Sequence, residues 1–391
     1  MNYLNDKRIV MTLDAGGTNF VFSALQSGEE IISPIKLPAN SSDLDLCLKT
    51  IIRGFNLVKQ LLPVEPVAIS FAFPGPADYK NGIIGDLPNF SSFRGGVALG
   101  PMLENIFEIP TFINNDGDLF TYGESVAGIL PEINNALKEK GVEKEYKNLF
   151  GITLGTGFGG GIVANKNIFS GDNSAGGEIW LMRNFSTPHL IAEEGVSIRA
   201  IQRVYSKLAQ VKILHTPKDI YKIALGKKPG NKEAAISAFE EMAIVIGESL
   251  ANAITLFDGP VVIGGGISGA SDFIVPRIVD HLNGTIENQK GERMSRLVSK
   301  AYNLEDPVSY ESFINWEAKK IKIPFSDKEI NYNSDKRIPI GISRLGTSEA
   351  ICFGAYVFAL NSLNRNDKPS VKKKGNKSNL FSPILMNTTL Y

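Results

Sequence analysis

Two stretches of the chain open with the same succession of apolar and polar positions. Residues 9–13 and 149–154 are short apolar runs, and each is followed by a glycine-rich turn and a second apolar run. Short apolar runs bounded by glycines predict buried β-strands. The sequence therefore predicts two halves that each begin with strand, turn and strand, which indicates a duplicated architecture.

Elsewhere, strand-like and helix-like spacings alternate along the chain, which is the pattern of an α/β protein. Apolar residues at helical spacing predict helices at 43–62, 119–129, 233–257 and 347–363. Further strands are predicted at 20–25, 67–73, 111–113, 161–164, 261–263 and 319–325.

The same pattern divides the chain into domains. We expect a small N-terminal α/β domain at 1–114, a large α/β domain at 115–363 and a tail at 364–391. Residues 284–344 are polar and irregular, so we interpret them as an insertion in the large domain. The tail is rich in lysine, asparagine and serine and is expected to be mobile.

Charge and cysteine content exclude several classes of protein. The 391 residues include 41 basic and 41 acidic side chains, so no net field attracts the chain to nucleic acid or anionic lipid. Two cysteines and three histidines are too few for a disulfide scaffold or a thiolate zinc site. The apolar run at 9–13 is too short for a signal peptide, and no stretch approaches the roughly 20 residues that cross a bilayer. We expect a cytoplasmic protein that binds neither nucleic acid nor membrane.

The two glycine-rich turns are candidate phosphate sites. Without a Cβ, glycine lets backbone N–H groups approach phosphate oxygens, and threonine hydroxyls add donors. The turns at 14–19 and 155–161 have this composition, although each alone also fits a structural hairpin. Gly155, Gly157 and Gly160 match the G-x-G-x-x-G spacing, but a strand is predicted where a dinucleotide site requires a helix. The sequence contains neither a P-loop string nor the protein-kinase motifs.

Four carboxylates beside small or amide residues are candidates for chemistry. Asp14 precedes the first turn, where a carboxylate near phosphates requires a cation such as Mg²⁺; the alternative is an Asx turn. Asp116 follows a predicted strand and two asparagines, so it can accept a proton from a substrate hydroxyl or cap the next helix. Glu178 and Glu193 lie near small residues and can also be ordinary surface carboxylates.

Six motifs follow one another along the chain. They are Asp14-Ala15-Gly16-Gly17-Thr18, Pro74-Gly75-Pro76, Asn115-Asp116 with Gly123-Glu124, Gly155-Thr156-Gly157-Phe158-Gly159-Gly160-Gly161, Ala175-Gly176-Gly177-Glu178 and Val262-Ile263-Gly264-Gly265-Gly266. In this order the sequence resembles the ROK family of repressors and sugar kinases, over most of residues 8–270 and again at 349–360. The resemblance implies an actin-like ATPase (ribonuclease H-like) fold, in which two α/β domains enclose a central cleft. It also implies that helix 347–363 packs back toward the N-terminal domain.

The resemblance further implies an ATP-dependent hexose kinase and a role for each matching residue. Asp116 would be the general base that takes the proton of the sugar hydroxyl, usually the 6-hydroxyl in this family. Contacts with the sugar are implied for Gly75, Asn89, Asn115, Asp116, Glu178 and Glu193. Contacts with ATP are implied for Gly16, Gly17, Thr18, Asn19, Gly155, Thr156, Gly157, Gly265 and Gly266. Asp14 would position Mg²⁺ through water, and the family pattern implies a homodimer whose small-molecule partners are sugar and ATP.

Two departures from the family pattern concern zinc and the substrate. Leu181 stands where the family has a histidine, and no cysteine lies between Glu178 and Glu193, so we expect no structural zinc. The missing histidine also removes a usual sugar contact, which leaves the identity of the sugar open. The segment between Gly266 and Gly354 is longer than in the family and fits a lid, an oligomer contact or a decoration.

Two other functions stay open at this point. The family includes sugar-responsive regulators, but the DNA-binding helix-turn-helix of its repressors precedes the first motif, and only thirteen residues precede Asp14 here. An actin-like structural or chaperone ATPase would not need the Asn115-Asp116 pair. We therefore favour the kinase, with a non-catalytic sugar-binding regulator that lacks a DNA-binding domain as the alternative.

Overall fold

The computed structural model describes residues 3–16, 18–75, 77–85, 92–316 and 318–366. Within these ranges the chain forms two six-stranded sheets with helices packed on them, so the α/β prediction is confirmed. Among the same residues, no helix combines the length and the hydrophobicity that are needed to cross a bilayer. Most of the predicted tail, from residue 367 onward, lies outside the described residues.

The N-terminal part of the chain contains the first sheet, the helices packed on it and a separate two-stranded pair, formed by residues 83–84 and 97–98. Its elements in chain order are β1 (Val10–Ala15), β2 (Asn19–Gln26), β3 (Glu29–Glu30), β4 (Ile35–Pro38), α1 (Leu44–Leu61), β5 (Ala68–Ala72), β6 (Ile83–Ile84), β7 (Val97–Ala98), α2 (Leu99–Phe107) and β8 (Thr111–Asn114). The strand order is β3-β2-β1-β5-β8, with β4 also paired to β2. Strands β1 and β2 form an antiparallel hairpin, whereas β1, β5 and β8 run parallel.

Helix α1 illustrates how the sequence pattern produces this half. Asp43 is the N-cap and accepts a hydrogen bond from the Leu46 N–H at 3.0 Å. Buried side chains recur every three or four residues along α1, at Cys47, Ile51, Phe55 and Val58. This apolar face packs on the sheet, where the rings of Phe55 and Phe22 are 5.2 Å apart.

The remainder of the chain contains the second sheet, its helices and two separate hairpins, at residues 285–295 and 319–332. Its elements in chain order are α3 (Asp116–Val126), α4 (Ile129–Glu139), β9 (Leu149–Leu154), β10 (Phe158–Ala164), β11 (Asn167–Ile168), α5 (Ile198–Leu208), α6 (Pro217–Ala224), α7 (Lys232–Phe257), β12 (Val261–Gly264), α8 (Ser271–Leu282), β13 (Thr285–Glu287), β14 (Arg293–Ser295), β15 (Lys300–Asn303), α9 (Pro307–Ile314), β16 (Lys319–Lys322), β17 (Glu329–Tyr332), β18 (Arg337–Ile342) and α10 (Thr347–Asn366). The strand order is β11-β10-β9-β12-β18-β15.

The two sheets share one connectivity. In each, an antiparallel hairpin (β1-β2 or β9-β10) is followed by parallel strands added on the side of its first strand. One apolar cluster packs α5 to α8 on the second sheet, another packs α1 and α2 on the first, and a third joins α3, α4 and α10 between them. This repetition agrees with the duplicated architecture that the sequence indicated.

The segment 284–344 differs from the prediction of a polar, irregular insertion. It contributes two strands, β15 and β18, to the second sheet, and β18 lies between β12 and β15. The rest includes helix α9 and two exposed hairpins, β13-β14 and β16-β17. Only the hairpins fit the description of a decoration, and the predicted strand at 319–325 belongs to the second of them.

Helices α3 and α10 cross at very short distance. A Cβ on Gly123 would overlap the carbonyl oxygen of Ala350, and a Cβ on Gly354 would overlap that of Leu119. Beyond the crossing, α10 reaches the first sheet, where the Phe358 ring lies 5.9 Å from that of Phe112. Helix α10 therefore contacts elements of both halves.

Candidate active site

The first glycine turn joins β1 to β2 and carries Asp14 at its edge. Asp14 is the one side chain of β1 that reaches solvent. Partial desolvation by the surrounding chain raises the pKa of its carboxyl. The turn is tight, because a Cβ on Gly16 would lie 2.9 Å from the Asn19 carbonyl oxygen. The side chain of Thr18 is exposed beside it, and Gly17 lies outside the described residues.

Asp116 is the first residue of α3, directly after β8. The side chain of Asn115 is the N-cap of this helix and accepts a hydrogen bond from the Gly117 N–H at 2.7 Å. The same N–H lies 2.9 Å from Asp116 Oδ1. The capping role that the sequence allowed for Asp116 therefore belongs to Asn115. The helix also begins three residues earlier than the predicted 119–129, because the cap lies before the apolar run.

The carboxylates of Asp116 and Asp14 lie close enough to interact. Asp116 is exposed to solvent, yet partial desolvation by its surroundings raises the pKa of its carboxyl, and the negative charge of Asp14 raises it further. Strands β1 and β8 are parallel members of one sheet, so their carboxyl ends lie on one edge. The start of α3 also touches the second sheet, because a Cβ on Gly117 would overlap the Gly160 carbonyl oxygen of β10. Asp116 is thus held where the two halves meet.

Gly75 and Asn115 are brought together by a residue that the sequence analysis missed, Tyr79. The Asn115 side-chain amide donates a hydrogen bond to the Tyr79 hydroxyl at 3.4 Å, and that hydroxyl donates to the Phe73 carbonyl oxygen at 3.0 Å. A Cβ on Gly75 would overlap the Tyr79 hydroxyl, so a larger residue there would have to displace that hydroxyl. Asn89, the remaining residue predicted in this region, lies outside the described residues.

Asp118 is a second residue that the sequence analysis missed. It is 4% exposed, and its Oδ1 has no hydrogen-bond partner among the described residues. Desolvation raises the pKa of Asp118 to about 8, and the charges of Asp116 and Glu178 add to the rise. Asp118 therefore lies within electrostatic reach of both Asp116 and Glu178.

Glu178 and Glu193 each have partners within the protein. Glu178 accepts a hydrogen bond from the indole N–H of Trp180. Glu193 Oε2 accepts from the Phe158 N–H at 3.1 Å, and its Oε1 pairs with Arg199 at 2.9 Å. Glu193 is thereby fixed against the second glycine turn, whereas Glu178 lies within electrostatic reach of Asp118.

The second glycine turn joins β9 to β10 and is open on one side. Apart from its neighbours in the chain, no atom of the described residues lies within 4 Å of a Cβ placed on Gly155, and the side chain of Thr156 is exposed. Gly157 has less room, because a Cβ there would lie 2.6 Å from the Glu193 carboxylate. The Gly155 carbonyl oxygen accepts a hydrogen bond at 2.9 Å from the Ile198 N–H, at the start of α5. The turn thus presents backbone and one hydroxyl to the outside.

Gly265 and Gly266 follow β12 next to this turn. Gly265 has φ +88°, and a Cβ there would overlap the backbone of Leu154, so only glycine allows this approach. Its N–H donates a hydrogen bond at 2.7 Å to Thr347 Oγ1, at the start of α10. Gly266 faces open space. Because β9 and β12 run parallel, the turn that follows β9 and the glycines that follow β12 lie at one edge of the second sheet.

The donor set fits magnesium better than a protein-only metal site. Among the residues with described placement, no three His, Cys, Asp or Glu side chains form a group that could hold a metal. Mg²⁺ commonly uses one or two carboxylates and completes its shell with water and substrate phosphates. Asp14, a single solvent-reaching carboxylate beside a glycine turn, fits that chemistry.

Leu181, at the position of the family histidine, is 54% exposed.

Comparisons with known proteins identify a family and several relatives of this chain. The model of the ROK family matches residues 10–306. A solved glucokinase structure from Parabacteroides distasonis superimposes with a TM-score of 0.86 and 54% identity, covering 92% of this chain and 99% of that one. A glucokinase of Halalkalibacterium halodurans is 28% identical over 296 residues, or 69% of this chain and 83% of that protein.

A further relative matches over a shorter range. An N-acetyl-D-glucosamine kinase of Vibrio atlanticus is 28% identical over 172 residues, which span 44% of this chain and about half (51%) of that protein. The relatives and the fold lead to one assignment. The chain belongs to the ROK family, and it has the actin-like fold of that family's sugar kinases.

Proposed function

We propose that the protein is an ATP-dependent sugar kinase, which phosphorylates a hexose or hexose derivative at its 6-hydroxyl. The observation that carries this proposal is that Asp14 and Asp116 lie at the carboxyl ends of parallel strands on one sheet edge, where α3 touches the second sheet. Relatives named glucokinase and N-acetyl-D-glucosamine kinase support a sugar as the acceptor.

In the proposed reaction Asp116 is the general base. It accepts the proton of the sugar hydroxyl as that oxygen attacks the γ-phosphorus of ATP and the bond to ADP breaks. The raised pKa of Asp116 favours this role, because a base is most effective when its pKa approaches the working pH. The hydrogen bond from the Gly117 N–H orients the carboxylate. Such assistance supplies about 10²–10⁴-fold in rate.

The other predicted residues hold the two substrates in this proposal. Gly75, Asn115, Glu178 and Glu193 contact sugar hydroxyls, and the two glycine turns with Thr18, Asn19 and Thr156 bind the phosphates. Gly265 and Gly266 flank the adenosine, and the open space beside Gly266 leaves room for it. Asp14 would hold a magnesium ion through water, and that ion would neutralise phosphate charge.

An ADP-release assay with ATP and Mg²⁺ tests the proposal. The acceptors are aldohexoses, N-acetylhexosamines and ketohexoses, and NMR of the product identifies the phosphorylated oxygen. We expect turnover on at least one member, with the phosphate on the 6-oxygen. Calorimetric titration of the same sugars runs in parallel. Binding without turnover of any sugar would contradict the kinase proposal and favour the non-catalytic regulator.

A further inference from the structure

A large cavity lies along the outer edge of β8, next to the candidate sugar site. Its volume is about 1100 Å³, which is slightly above the usual range of about 300–1,000 Å³ for small-molecule sites. The cavity is lined by loop 77–82, α2 and β8, and also by residues 168 and 170–174 and the C-terminal half of α10. β8 is the last strand of its sheet, and within the described ranges no other strand pairs with its outer edge.

The cavity adjoins the residues that the proposed reaction uses. Tyr79 lines the cavity, and its hydroxyl lies 3.4 Å from Asn115 Nδ2. Asn114 also lines it and directly precedes Asn115 and Asp116. The end of the cavity near these two residues is therefore next to the place where the acceptor sugar binds.

Asn114 has an unmet hydrogen-bonding need at this wall. The residue is 8% exposed, and its Nδ2 has no hydrogen-bond partner among the residues the structure describes. Thr111 Oγ1, at the other end of β8, is also a buried atom without a hydrogen-bond partner among the described residues. A buried polar group without a partner is unfavourable. A ligand in the cavity would satisfy the Asn114 amide after rotation of that side chain.

The composition of the walls identifies the kind of ligand. Three acidic and two basic side chains line the cavity, so it does not select for an anion such as phosphate. Hydroxyl and amide side chains also line it, namely Asn81, Ser170, Asn173, Ser174 and Ser362. The rings of Tyr79, Phe112 and Phe358 add apolar surface. Uncharged hydrogen-bonding groups mixed with aromatic rings suit a neutral molecule that is rich in hydroxyls.

We propose that this cavity is a second carbohydrate subsite, which binds one neutral sugar unit through Asn114, Asp172 and Asn173. The inference rests on the proposed function, because it assigns the cavity to a sugar next to the phosphorylated one. That unit is either the second residue of an extended acceptor or a separate sugar molecule. Both present the same hydroxyl-bearing ring to the cavity.

The test uses the full chain and the double variant Asp172→Ala/Asn173→Ala, which changes only exposed loop residues. The matched control is Asp327→Ala/Lys328→Ala, in the exposed turn between β16 and β17. A second variant, Ser362→Trp, fills the cavity from α10. For each protein, kcat/KM is measured for glucose, maltose and cellobiose with ATP and Mg²⁺, and calorimetry counts the bound sugars per chain.

Two results support the subsite and separate its sources. For an extended acceptor, a disaccharide is phosphorylated, and both cavity variants lower its kcat/KM about tenfold while glucose changes less than twofold. For a separate sugar, glucose binds at two sites per chain and the cavity variants leave one. Phosphorylation of glucose with one bound sugar and no binding of either disaccharide overturns the subsite, as does a cavity variant that matches the control. If no sugar is phosphorylated, the kinase proposal fails, while the count of bound sugars still decides the subsite.

Discussion

Replacing Gly75 with alanine tests whether Tyr79 holds Asn115 in its working position. The added Cβ would overlap the Tyr79 hydroxyl, which must withdraw by about 0.8 Å to restore a 3.0 Å contact. That movement disturbs the hydrogen bonds of the hydroxyl with Asn115 (3.4 Å) and with the Phe73 carbonyl oxygen (3.0 Å). Because a misplacement of about 1 Å can cost about 10²-fold in rate, we expect kcat/KM for the sugar to fall about 10–100-fold.

A double-mutant cycle isolates the hydroxyl as the cause. In the Tyr79→Phe background the clashing oxygen is gone, and the next atom, Cζ, lies 3.1 Å from the added Cβ. Gly75→Ala should therefore cost much less there, with a coupling of about 1–2 kcal/mol between the two changes. The assay is steady-state kinetics with saturating ATP and Mg²⁺, and urea unfolding of all four proteins accounts for changes in stability.

Additive effects of Gly75→Ala and Tyr79→Phe on kcat/KM would refute this reasoning. If Gly75→Ala lowers kcat/KM by the same factor in both backgrounds, to within about 0.5 kcal/mol, the Tyr79 hydroxyl does not transmit the effect. A loss that is confined to the free energy of unfolding would likewise show that the contact serves stability alone.

Three further predictions concern the proposed general base and two buried carboxyl groups. Asp116→Asn should lower kcat by about 10²–10⁴-fold and leave the calorimetric sugar affinity within a few-fold, and comparable turnover would exclude the base assignment. Glu124, fully buried, accepts four hydrogen bonds of 2.6–3.0 Å, so Glu124→Gln should lower the free energy of unfolding by about 3 kcal/mol in urea, whereas exposed Glu143→Gln should not. Burial raises the pKa of Asp118 from 3.8 to about 8, so the native state binds more protons than the unfolded state between these values. Stability should then fall as pH rises through this window, and Asp118→Asn should reduce the slope; an unchanged slope would contradict the raised pKa.

The sequence predicted the elements whose signals are local. Each glycine hairpin follows a short apolar strand, and the predicted strand at 149–154 coincides with β9. Helix α7 was predicted at 233–257 and begins one residue earlier, at Lys232, because Asn231 caps it. In these segments the period of apolar residues and the breaking residues at the ends agree, so little tertiary information is needed.

Strand β18 shows where local signals fail. Pro339 and Gly341 interrupt its sequence, and proline is a sign against a central strand because it has no N–H to donate. The strand is nevertheless central, with β12 on one side and β15 on the other. Its register is set by these neighbours, with Pro339 opposite Tyr302 and Gly341 opposite Val262. The neighbours are distant in sequence, so the local pattern could not reveal the strand.

The candidate site divides in the same way. Asn115 and Asp116 stand in a recognisable motif at a strand end, and the structure brings them together with Asp14 and Gly75. Tyr79 joins the group only because its loop folds back onto Asn115, a contact that no motif announces. The contacts of these residues with sugar, adenosine and phosphate are predictions from the family resemblance.

The crossing of α3 and α10 has a consequence for how the molecule tolerates change. A single methyl group on Gly123 or Gly354 would force helices α3 and α10 apart, because the backbone of one helix contacts the backbone of the other there. Helix α3 starts at Asp116, and helix α10 starts at Thr347, whose Oγ1 accepts a hydrogen bond from the Gly265 N–H. The displacement would therefore reach Asp116, the proposed general base, and Gly265, which is proposed to flank the adenosine, at the same time. A substitution outside the proposed site residues would thus alter two parts of the proposed site together.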